Sequence, residues 1–115
     1  MSDKTLQNIE TQANSLVNRI VAAIEHPQPS TFAFTIGVQL GALRSRIRRV
    51  LNSYVEYPKG IRTSIGAMDD CCFDIETSMI DAMALTFEQT QQREHLELAR
   101  QKATTICNLI QEARA

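Results

Sequence analysis

A chain of 115 residues, 43% hydrophobic and 22% charged, is one ordinary globular domain with room for a modest core. Its formal net charge of −1 excludes a global field that draws in DNA, RNA or anionic lipid, so a nucleic-acid reading has to rest on a local patch. No apolar run approaches bilayer length, and the opening residues, MSDKTLQNIETQ, lack the apolar core of a secretion signal, so the expected location is the cytoplasm.

The first element is a helix over about 3–26. Leu6, Ile9, Ala13, Leu16, Ile20 and Ala23 recur three and four residues apart on one face, and Val17, Val21 and Ile24 widen it. Ser2 or Asp3 can cap its start, and HPQPS, with Pro27 and Pro29, ends it. Ser30 can cap a second helix over about 31–56, with the stripe Ile36, Leu40, Leu43, Ile47, Val50 and Tyr54.

The segment TFAFTIGVQLG, residues 31–41, carries a competing signal. Phe32, Phe34, Ile36, Val38 and Leu40 alternate with smaller or polar residues, as in a half-buried strand. A strand here has no partner in the chain, because no other segment reads as one. Read as a helix, Ala33, Gly37, Gly41 and Ser45 fall four apart and form a ridge of small side chains. Each glycine costs a helix about 1 kcal/mol against alanine, so tight packing against a second helix is the expected compensation.

Tyr57-Pro58-Lys59-Gly60 is a turn signal. A third helix follows over about 61–87, striped by Ile61, Ile65, Met68, Cys72, Ile75, Met79 and Ala82. Phe73, Ile80 and Phe87 form a parallel row seven apart. The last helix, about 90–113, carries Leu96, Ala99, Ala103, Ile106, Ile110 and Ala113; Thr86 or Thr90 can cap it. The polar run EQTQQRE lacks Gly and Pro, so a single helix of about 50 residues competes with a hairpin. Matched lengths and short connections favour the hairpin. The expected fold is all-α: a single-domain antiparallel four-helix bundle, up-down-up-down, whose wide apolar faces suit a homo-oligomer.

Charge is arranged in two blocks. Arg44, Arg46, Arg48, Arg49, Lys59 and Arg62 are opposed only by Glu56, and Asp69, Asp70, Asp74, Glu76 and Asp81 follow with no basic residue among them. Folding the second helix back on the third brings Arg48 near Asp69 and Arg44 near Asp74, which fixes the register. One or two of the arginines must then face elsewhere. The same block is the candidate face for a partner or for phosphate. Phe32, Phe34 and Tyr57 are the aromatic side chains expected to be exposed, with Phe32 and Phe34 either closing the end of the core or docking a partner; Phe73 sits beside the core stripe.

Site chemistry is sparse. Cys71, Cys72 and Cys107 are an odd count without a secretion signal, which points to free thiols rather than a disulfide framework. A burial-raised thiol pKa and the acidic neighbours Asp69, Asp70 and Asp74 disfavour a nucleophilic thiolate. Di-metal bundles use Glu-x-x-His, whereas His95 follows Gln92 and His26 follows Ala23, so no metal or cofactor is expected. Arg19 and His26 loosely resemble the Arg-x(4–6)-His motif of HEPN-type ribonucleases, which are helical and dimeric; Ile20 stands where that motif carries a polar residue. The bland reading is a solvated arginine and a charge at a helix C-terminus.

These features suit a non-enzymatic protein-binding module: an adaptor, chaperone-like factor or small inhibitor of the kind that bacteria and their mobile elements encode. It would bind another protein, itself, or both through an apolar helix face, and three methionines between 68 and 83 make that face adaptable. The first alternative is a nucleic-acid-binding protein using Arg44–Arg62. The second is an oligomeric bundle that holds a small anionic ligand on the same arginines.

Overall fold

The computed structural model describes residues 3–26, 32–53, 59–84 and 89–114. Four helices form it: α1 (Asp3–Glu25), α2 (Val38–Leu51), α3 (Lys59–Ala84) and α4 (Gln89–Arg114). A π-helical segment, Phe32–Gly37, runs directly into α2. No strand occurs among the described residues. Each helix packs on its neighbour in sequence, and α1 closes the ring against α4. The bundle is antiparallel and measures 47 × 22 × 18 Å, matching the roughly 39 Å length of a 26-residue helix.

The alternating segment is helical, and burial shows why. On a strand Ile36, Val38 and Leu40 share one face. Here Ile36 and Leu40 are buried while Val38 is 64% exposed. The helical period therefore governs from the π-helical turn onward.

The core is the four stripes. Leu6, Ile9, Leu16 and Ile20 meet Leu43 and Ile47, Ile65, Met68 and Ile75, and Leu96, Ala99, Ala103 and Ile106 in one cluster. Alanines at 13, 82, 99 and 103 are fully buried and let the helix axes approach.

Two hairpins are closed the same way. The last carbonyls of a helix lack an intrahelical partner. Arg62 of α3 donates from Nη2 to the Leu51 carbonyl at the end of α2, at 2.8 Å. Gln92 of α4, 2% exposed, donates from Nε2 to the Ala82 carbonyl in the last turn of α3, at 3.0 Å. That bond, and the extensive α3–α4 packing, shows a hairpin rather than one long helix. At the far seam Arg114 of α4 pairs with Glu10 of α1 at 3.1 Å.

Several boundaries shift. Lys59 and Gly60 belong to the first turn of α3, so the helix starts two residues before the expected position. Thr90 lies inside α4 and is not its cap. Ser2, Ser30, Tyr54, Tyr57, Thr86 and Phe87 lie outside the described residues, as does the side chain of Asp3.

Candidate functional site

The arginine block does not converge on one face. Arg44 pairs with Asp69 at 3.3 Å and with Glu76 at 2.9 Å, and its guanidinium lies 5.9 Å from the centre of the Phe73 ring. Arg48 pairs with the same Asp69 at 3.2 Å. Arg46 turns the other way and donates to Gln12 of α1 at 2.8 Å. Arg49 is exposed and forms no ion pair with a described residue. Arg62 is committed to the Leu51 carbonyl. The side chains of Lys59, Phe32 and Phe34 lie outside the described ones.

The expected Arg48–Asp69 pair is present, but Arg44 does not reach Asp74. Asp74 lies further round α3, on the α4 side, where Lys102 takes it at 3.4 Å. Asp69 therefore holds two arginines of α2 at once. Its side chain is 21% exposed, so the pairs are partly shielded from solvent screening. Asp69→Asn is expected to lower unfolding stability by about 1 kcal/mol, read as a lower urea midpoint at unchanged slope. An unchanged midpoint means that these pairs set register without adding stability.

The apolar surface lies elsewhere. Phe73 and Ile80, seven apart on α3, are each 58% exposed, and Met83 of the same helix and Val38 of α2 are exposed as well. The expectation that Phe73 flanks the core is corrected: the core stripe of α3 turns inward, and Phe73 sits about 100° round the helix from Cys72. An open groove of about 310 Å³ runs between α2 and α3. Gly37, Leu40, Gly41 and Arg44 form one wall, and Glu76, Met79, Ile80 and Met83 the other. A Cβ added at Gly41 meets nothing within 4 Å. The tight packing expected to offset this glycine is absent within the chain, because Gly41 lines the open groove rather than a closed seam.

The thiols sit where burial disfavours the thiolate. Cys71, Cys72 and Cys107 are free, the first two buried. Burial, reinforced by the Asp69 charge, pushes Cys72 up to about 12. Burial likewise raises Cys71 and Cys107, and the Cys107 thiol also donates to Asn14 Oδ1. A folded-state pKa raised above the unfolded value of 9.0 means that unfolding releases a proton at high pH. The stability is present below pH 9 and is lost as pH rises toward 12. Cys72 alone contributes a slope of about 1.4 kcal/mol per pH unit in that window. Cys72→Ala is expected to flatten the alkaline limb of a pH–stability curve by that slope; an unchanged limb assigns the loss to other groups.

No group of three or more His, Cys, Asp or Glu able to hold a metal ion occurs among the described residues. Arg19 and His26 are both exposed near the end of α1. No described helix is long and apolar enough to cross a membrane. No protein-family model, no curated protein and no solved structure matches this chain.

Proposed function

We propose that the protein is a non-enzymatic protein-interaction module, an adaptor, chaperone-like factor or small inhibitor, that acts through the α2–α3 face. The observation that carries this reading is the pair Phe73 and Ile80, each more than half exposed, beside an open apolar groove. Large exposed apolar side chains beside an open groove support reading this face as a docking site. Burying each side chain is worth about 1.5–3 kcal/mol, so two or three of them can anchor a partner.

The arginines give less support to the alternatives. Arg44, Arg46, Arg48 and Arg62 are all engaged within the chain, so phosphate binding has to break existing contacts. Affinity purification of the tagged protein from its host, with nuclease treatment and a parallel Ile80→Asp bait, tests the reading. The expected result is a stoichiometric, nuclease-resistant protein that Ile80→Asp loses while keeping its melting temperature. Signal lost to nuclease, and binding that collapses with salt, replaces the apolar face with an arginine surface.

A further inference from the structure

We infer that the α2–α3 face is a self-association surface: a second copy covers it about a two-fold axis parallel to the bundle, so that each α3 lies antiparallel on the α2 of the other copy. The inference rests on the reading of this face as a docking site and names its occupant.

Charge selects both the occupant and the axis. From Val38 to Leu51, α2 carries Arg44, Arg46, Arg48 and Arg49 and no acidic residue. From Met68 to Ala84, α3 carries Asp69, Asp70, Asp74, Glu76 and Asp81 and no basic residue. Arg46 turns to α1 and Asp74 to α4, so the charges on the α2–α3 face itself are Arg44 and Arg48 of α2 beside Asp69 and Glu76 of α3, a short basic strip next to a short acidic one. A two-fold axis lying in the interface parallel to the helices places the basic strip of each copy on the acidic strip of the other. An axis across the helices places arginine on arginine and carboxylate on carboxylate, which is disfavoured. A partner of one charge sign meets repulsion from one strip, whereas an identical copy meets attraction twice. The net charge of −1 adds almost no repulsion between copies.

Symmetry also fixes the register. A rotation about an axis parallel to the bundle keeps every residue at its own height. The level pairings within one chain therefore carry across to the other. Arg48 is level with Asp69, as their 3.2 Å pair shows. Four residues further on in α3 and four back in α2, Phe73 is level with Arg44, in agreement with their ring contact. Seven more in each direction set Ile80 level with Gly37. Across the two-fold, the large exposed side chains Phe73 and Ile80 of one copy thus meet Gly37, Gly41 and Ser45 of the other, all three exposed. The open space at Gly41 is the room such a ridge requires. The 47 × 22 Å side of the bundle is large enough for the roughly 800 Å² that each partner gives to a standard interface.

Sedimentation velocity across a concentration series tests this. The wild type is expected to sediment at twice the chain mass. Ile80→Asp acts twice in a symmetric interface and is expected to weaken the dimer at least about 100-fold. Gly41→Leu fills the groove, has room within the monomer, and is expected to give a folded monomer. Dimers that persist in both variants overturn the assignment of this face. A monomeric wild type, together with a heterologous partner that Ile80→Asp loses, overturns the second copy as occupant and leaves the docking face intact. A monomeric wild type with no partner sensitive to Ile80→Asp overturns both.

Discussion

Ile75→Asp is expected to abolish the cooperative fold. Ile75 is fully buried at the middle of α3. The substitution removes a side chain whose burial is worth about 1.5–3 kcal/mol and sets a carboxylate in the same apolar space, at a cost of several kcal/mol more. The whole domain is stable by roughly 5–15 kcal/mol, so most of that margin disappears. Circular dichroism at neutral pH should show lost helicity and no sigmoidal urea transition. Acidification should restore part of the fold, because the introduced carboxyl is tolerated when protonated. Ile75→Val, which removes one methylene, should cost only about 0.5–1.5 kcal/mol. A wild-type melt in Ile75→Asp refutes the core assignment.

The second large effect is expected at Gln92. Gln92→Ala should lower stability by about 2–3 kcal/mol, since it opens a cavity and leaves the Ala82 carbonyl without a donor in the last turn of α3. Gln92→Met separates the two causes by restoring volume without the donor. If both variants lose stability, the hydrogen bond matters; if Gln92→Met matches the wild type, only packing does. The amide protons of the last turn of α3 should also exchange faster in both variants.

The bundle was legible because period and burial agree: the inward residues of α1, α2, α3 and α4 are those of the stripes. The strand-like run competes with the helix because alternation and helical spacing coincide at Phe32, Ile36 and Leu40; among the described side chains Val38 separates them, and it is exposed as the helix requires. Gln92 was legible in principle, since it continues the Leu96–Ala99 stripe one turn back, and a polar residue on a core stripe asks for a buried partner. Which partner depends on where α3 stops. The arginine block reads as a site in the sequence, but its side chains diverge by about 100° per residue and four of them find contacts within the chain. Phe73 and Ile80 form a row in the sequence; their exposure depends on how far α2 wraps around α3, which no single helix encodes.

The α1–α4 seam makes the bundle a ring with one link missing. Three seams join helices adjacent in sequence and close short loops. The fourth joins Glu10 to Arg114, 104 residues apart. By loop-closure entropy that seam is the costliest of the four to close, and the local hairpins are expected to form before it. The opening in the ring can therefore be moved: a permuted chain that links α4 to α1 and begins at α2 or α3 keeps all four seams and changes only the order in which they form.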